Sequence, residues 1–180
     1  MVGAPVFYLQ EFSLQQERIV RSKLRELSDI EKGTDFGKDF IYFGNIFADK
    51  ERKHTMQDLQ DLFESCDPYS PSFDSNNPGP YRLQNYPRHF IAVDDKIFQP
   101  GPKVWMASSL DFHLEDADDQ LGWTIGEMDA KDAHLAWVNL DIANMGLCEQ
   151  VEESQKLWLS DLKQAQRKWE ESEGDDYLLA

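Results

Sequence analysis

Apolar residues recur along this chain in two rhythms that take turns. Residues 6–12 (Val-Phe-Tyr-Leu-Gln-Glu-Phe) are aromatic and β-branched and predict a strand. Ser13 with Gln16 three positions on forms a capping box. Leu14, Val20, Leu24, Leu27 and Ile30 then return close to one helical face, with Glu17 and Arg21 paired outside, until Gly33 stops the helix. Residues 39–47 predict a second strand. Thr55, with Asp58 at the third helical position, opens a second helix whose apolar face is Met56, Leu59, Leu62, Phe63 and Cys66. Pro68, Pro71, Pro78 and Pro80 break regular structure over 65–80, a long loop.

Three strand signals follow in quick succession. They are 89–93 (His-Phe-Ile-Ala-Val), 103–107 (Lys-Val-Trp-Met-Ala, after a Pro-Gly-Pro turn) and 123–128 (Trp-Thr-Ile-Gly-Glu-Met). Asp129 is expected to cap a helix through Ala133, Ala136, Trp137 and Leu140. Leu147, Val151, Trp158, Leu162, Ala165 and Trp169 predict one long amphipathic C-terminal helix ending near Gly174. Alternating strands and helices in the first half predict βαβ-type packing with a partly parallel sheet. The three closely spaced strands predict antiparallel neighbours. The expectation is an α/β fold (α+β being the alternative): a single mixed sheet of about five strands flanked by helices. Residues 1–174 form one domain and 175–180 a loose tail.

Composition narrows the class. An apolar fraction of 41% with 5 Trp, 6 Tyr and 11 Phe in 180 residues is enough for a sizeable core. No apolar run reaches the length of a membrane span, and the first residues lack a basic n-region and an apolar h-region, so a cytoplasmic protein is expected. Cys66 and Cys148 read as reduced thiols. The net charge of −16 is uneven. Residues 1–90 carry 11 basic and 14 acidic side chains, and residues 91–180 carry 7 and 20. That field repels phosphate backbones and anionic membranes, so neither nucleic acid nor a membrane is an expected partner. A basic protein is the complementary one.

Candidate chemistry is sparse. His113-Leu-Glu115 resembles the first half of a zinc deaminase signature, but no later Pro-Cys-x-x-Cys exists. His113, Glu115, Asp116, Asp118 and Asp119 lack the alternate spacing and turn glycine of a Ca²⁺ loop and read as a solvated acidic segment. Asp94 and Asp95 follow a strand, where α/β proteins often bind ligands, and are candidates for acid–base work as well as ordinary turn residues. No nucleophile elbow, phosphate loop or dinucleotide fingerprint occurs, so no cofactor is indicated. Trp169, beside Glu170 and Glu171, is the tryptophan best placed to be exposed in an acidic frame. Asn139 and Asn144 lie among apolar residues beside Trp137, where amides are expected to tie backbone at a helix junction.

Three segments together resemble a family of small bacterial and fungal proteins known only as a domain of unknown function. They are the opening strand ending in Glu-Phe-Ser (7–13), then His-Phe-Ile-Ala-Val-Asp-Asp (89–95) with Lys-Val-Trp-Met-Ala, and then 123–128 leading to Asn-Leu-Asp-Ile-Ala-Asn-Met (139–145). The last is the specific piece. The resemblance implies no activity and no catalytic residue.

The residues therefore favour an acidic protein-binding module, regulatory or immunity-like, over an enzyme. Asp116, Asp118, Asp119, Trp169, Glu170 and Glu171 are the expected binding face. The alternatives are a small enzyme with a carboxylate or metal site around Asp94, Asp95, His113 and Glu115, and a structural subunit of a larger assembly.

Overall fold

The computed structural model describes residues 3–27, 40–44, 55–67, 73–77, 79, 83–85, 88–109, 123–142, 145–151 and 156–158. These build an α/β domain around one six-stranded mixed sheet: β1 (Pro5–Tyr8), β2 (Ile41–Gly44), β3 (His89–Val93), β4 (Lys103–Ser108), β5 (Thr124–Asp129) and β6 (Lys156–Trp158). The spatial order is β2-β1-β3-β4-β5-β6. β1 is parallel to both β2 and β3, while β3, β4, β5 and β6 pair antiparallel in succession. Both expectations for strand direction are met, and the sheet gains a strand.

Four α-helices join them: α1 (Leu14–Leu27), α2 (Met56–Cys66), α3 (Ala133–Asp141) and the single turn α4 (Leu147–Gln150). Two are started by the boxes visible in the sequence. Ser13 N donates to Gln16 Oε1 at 2.9 Å and Gln16 N to Ser13 Oγ at 3.3 Å. Thr55 N donates to Asp58 Oδ2 at 2.7 Å and Asp58 N to Thr55 Oγ1 at 3.2 Å. Each box satisfies two of the donors that a helix start leaves without partners.

Strand alternation sorts the core into two layers. Val6, Tyr8, Ile91, Val93, Val104, Met106 and Met128 face α1 and α3, meeting Val20, Leu24, Ala133, Ala136, Trp137 and Leu140. Phe7, Phe90, Ala92, Ala107 and Ile125 face α2, meeting Leu59, Phe63 and Cys66. The second layer is aromatic. Phe63 stacks on Phe90 at 4.7 Å, Phe7 stacks on Phe43 at 5.0 Å, and Trp123 closes the cluster with its Nε1 donating to Glu64 Oε1 at 2.9 Å. Helices α1 and α2 thus cover opposite faces, as crossovers of one hand require when the first runs from β1 out to β2 and the second runs back from β2 past β1 to β3.

Several expectations need correction. The long C-terminal helix is interrupted. The α4 turn ends at Gln150, and Lys156–Trp158 is the edge strand β6, with Thr124 opposite Trp158 and Ile125 opposite Leu157. The free hydrogen-bonding edge of β5 outweighs the helical spacing of apolar residues there, because a strand's preference is set by its neighbours more than by its own residues. Its continuation past Trp158 lies outside the described residues. Asp129 does not cap α3. It ends β5 in ion pairs with Lys103 at 2.6 Å and Lys131 at 3.5 Å, and Asp132 stands at the helix start. Leu14 does not join the core face of α1; it is 76% exposed. The Pro-rich loop starts after Cys66, which still belongs to α2. Within that loop Gly79 docks on the core. Its φ of +70° suits glycine, and a Cβ there would stand 2.4 Å from Cys66 Sγ. Cys66 is a free, buried thiol, and burial pushes its pKa up.

Candidate functional site

The strand order reverses between β1 and β3, and in open α/β sheets ligands gather in the crevice outside the carboxyl ends of strands at such a point. The residues that follow those two strands are Leu9 and Gln10 on one side and Asp94 and Asp95 on the other. This is where the sequence places its candidate carboxylates. Their bonds define what they can do. Asp94 Oδ1 accepts from Lys96 N at 2.9 Å, capping the short turn Asp95–Phe98, and Asp94 Oδ2 accepts from Trp105 Nε1 at 2.9 Å. Asp95 accepts from Gln10 Nε2, which bridges the switch point itself. Lys96 pairs with Glu127 and lies 4.7 Å from the centre of the Trp105 ring. Lys23 Nζ reaches over from α1 to the Ile97 carbonyl at 2.9 Å. The cluster is a set of mutually satisfied partners that locks the β3–β4 connection onto the sheet.

A cavity of about 190 Å³ opens further along the same edge, lined by Leu27, Gly101, Pro102, Asp129 and Lys131. It is smaller than the roughly 300–1,000 Å³ of small-molecule sites and includes neither Asp94 nor Asp95. Among the described residues no group of three or more His, Cys, Asp or Glu side chains could hold a metal ion.

The second chemical pair was not visible in the sequence. His89 Nδ1 and Ser108 Oγ share a hydrogen bond of 2.9 Å across the β3–β4 ladder, and Ser108 in turn faces Thr124 on β5. Burial, aided by the charge of Arg88, holds His89 down to about 4, so the ring is neutral at physiological pH. A neutral histidine beside a serine has the outline of a nucleophilic pair. Ser108, however, is fully buried, which makes it a polar rung inside the sheet. Register, not sequence spacing, brings these residues together, since they stand nineteen positions apart.

Other predicted positions divide as follows. Trp137 is buried in the core beneath α3. Asn139 bonds side chains where backbone was expected. Its Nδ2 donates to Gln150 Oε1 at 3.2 Å and approaches Met145 Sδ at 3.8 Å, while Gln150 Nε2 donates on to the Gly146 carbonyl at 3.4 Å. Asn139 is thus tied to the start of α4 through a second amide, Gln150, rather than directly to backbone. His113, Glu115, Asp116, Asp118, Asp119, Asn144, Trp169, Glu170 and Glu171 lie outside the described residues. Ser109 and Trp123, which bracket 110–122, stand at the sheet edge opposite Asp94, since Ser109 N bonds Arg88 O. By strand rise that is about 20 Å from Asp94.

The remaining feature is on the outside of α3. Its inward stripe is Ala133, Ala136, Trp137 and Leu140. On the other side Leu135 and Ile142, the C-cap residue that follows the helix, stand seven positions apart, with Val138 between them packing partly against the core. Leu135 is 63% and Ile142 55% exposed, and Val138 is half-buried. Exposed Asp132 and Asp141 stand at the two ends, with exposed Glu149 on the adjoining α4. Lys131, the neighbouring cation, is held by Asp129. The signal was available in the sequence: α3 is apolar on both sides, and a helix apolar all round needs two coverings.

Fold and site together define a doubly wound α/β domain whose switch point is filled by structural partners and whose third helix turns an apolar stripe outward. Comparison with protein-family models, with curated proteins and with solved structures finds no match.

Proposed function

We propose that this chain is a non-enzymatic, acidic module that binds a basic protein partner. The observation that carries this reading is the outer face of α3, where large apolar side chains stand in solvent within an acidic frame. Exposed apolar side chains with a polar rim are the ordinary mark of a protein interaction surface. The charge of residues 91–180 supplies the long-range attraction that would steer a basic partner. The alternative of a carboxylate enzyme has less support, because both oxygens of Asp94 and one of Asp95 are engaged in holding the β3–β4 connection. No described helix is long and apolar enough to cross a membrane.

The test is capture of partners from the native source by the immobilised full chain at about 0.05 M and about 0.5 M salt. A basic protein retained at low salt and released at high salt is the expected result. Recovery of only neutral or acidic proteins, or retention indifferent to salt, would overturn the reading.

A further inference from the structure

We infer that the outer stripe of α3, Leu135–Val138–Ile142, is the docking face itself, and that its occupant is a basic amphipathic helix. The inference rests on the proposed protein-binding function and adds to it a surface and a partner chemistry.

The geometry of the stripe selects the shape. Leu135 and Ile142 are seven residues apart, about 10.5 Å along the helix axis, with Val138 between them. Exposed Leu135 on α3 and exposed Ile142 at its C-cap offer a short ridge, and a partner helix with its own apolar positions at i, i+3 or i+4, and i+7 fits alongside. Asp132 lies three positions before Leu135 and Asp141 immediately before Ile142, nine positions and about 13.5 Å apart. An occupant that satisfies both carries cations flanking its apolar stripe at a similar separation.

Charge selects among the possible occupants. A second copy of the chain would bring another −16 to a surface that is already acidic. The chain's own residues 159–180 contain Lys163, Arg167 and Lys168 against Asp161, Glu170, Glu171, Glu173, Asp175 and Asp176, and so are also net negative. Both are repelled from Asp132, Asp141 and Glu149, whereas a lysine- or arginine-rich helix is attracted. No described cation competes for the two aspartates at close range, since Lys131 is drawn to Asp129.

The experiment uses the full chain and a fluorescein-labelled synthetic peptide of about 18 residues, with leucines at helical i, i+3, i+7 spacing and lysines elsewhere. Anisotropy should show saturable one-to-one binding, and the same peptide with glutamates in place of lysines should not bind. Leu135→Asp with Ile142→Asp should weaken binding by about tenfold or more. Asp132→Asn with Asp141→Asn should weaken it several-fold and flatten its salt dependence. Leu14→Asp, at a still more exposed apolar site on α1, should leave it unchanged. Melting curves of all variants should superimpose on the parent, because exposed substitutions change stability little.

Binding unaffected by the Leu135→Asp/Ile142→Asp pair would overturn the docking face. So would a dimer in light scattering that this pair dissociates, since the occupant would then be a second copy. A tenfold gain in peptide affinity on Trp169→Asp would assign the face to the chain's own C-terminal segment. Failure of the peptide to bind rejects this docking chemistry, while salt-dependent capture of a basic protein decides the broader reading separately.

Discussion

Trp105 on β4 donates its indole N–H to Asp94, which follows β3, across 2.9 Å, and the same carboxylate caps the turn that begins at Asp95. One side chain therefore fixes both the loop between two strands and the orientation of the half-buried indole between them. Replacing Asp94 by alanine removes a cap and leaves the indole N–H without its acceptor. The expected loss is about 1–3 kcal/mol of folding stability, with a smaller loss for Asp94→Asn. Urea denaturation measures it, and an unchanged midpoint for Asp94→Ala would refute the assignment.

Gly126 makes room for α4. A Cβ at this position would stand 2.4 Å from Val151 Cγ1, and Val151 caps the α4 turn directly against β5. Gly126→Ala is expected to destabilise by about 1–3 kcal/mol through overpacking. Trimming the partner should relieve it: Val151→Ala in the Gly126→Ala background should recover part of the loss. A double-mutant cycle with no coupling between the two positions would count against this contact.

His89 sets an acid limit on stability. Its folded-state pKa, held down to about 4 by burial, lies below the 6.5 of an unhindered histidine. The unfolded chain therefore takes up a proton in a range where the folded chain does not. The contribution of His89 is flat above about pH 6.5 and lowers stability as pH drops towards 4, by about 3 kcal/mol at most. His89→Gln, which can still bond Ser108, should flatten that window. Asp129 acts in a different one. The hydrogen bond from Lys103 holds its carboxyl below the usual aspartate value, so its contribution is lost only at still lower pH. Melting temperatures measured across the range separate the two, and a pH slope that survives His89→Gln would exclude His89 as its source.

Gln60 is a buried amide on α2, 1% exposed, whose Nε2 has no hydrogen-bond partner among the described residues. An unsatisfied buried donor costs about 1–3 kcal/mol, so a side chain of similar shape without it should be tolerated or better. Gln60→Met is expected to raise stability by about 1 kcal/mol. A clear drop in the melting temperature would mean that the amide has a role the fold alone does not reveal.

The local code of this protein reads well from one dimension. Aromatic and β-branched runs locate β1 to β5, two capping boxes start α1 and α2, and the inward stripe of α3 is spelled by Ala133, Ala136, Trp137 and Leu140. Each depends on residues only a few positions apart, whose neighbours are fixed by the period of a helix or a strand. Spacing also carries the outer stripe of α3, although an inward face and an outward one look alike until something is packed against one of them.

What the chain alone determines, then, is the type and order of most elements, the capped starts of α1 and α2, and the acidic bias of its second half. Only the tertiary structure decided that Lys156–Trp158 completes the sheet as a strand, because the open edge of β5 outbids a helical pattern there. It alone showed that Asp94 is occupied by Trp105, that His89 meets Ser108, and that Leu135 and Ile142 face water while Trp137 does not. The reason is the same in each case. These outcomes depend on which surfaces meet after residues far apart in sequence are brought together, and the chain encodes that meeting only through the energy of the whole fold.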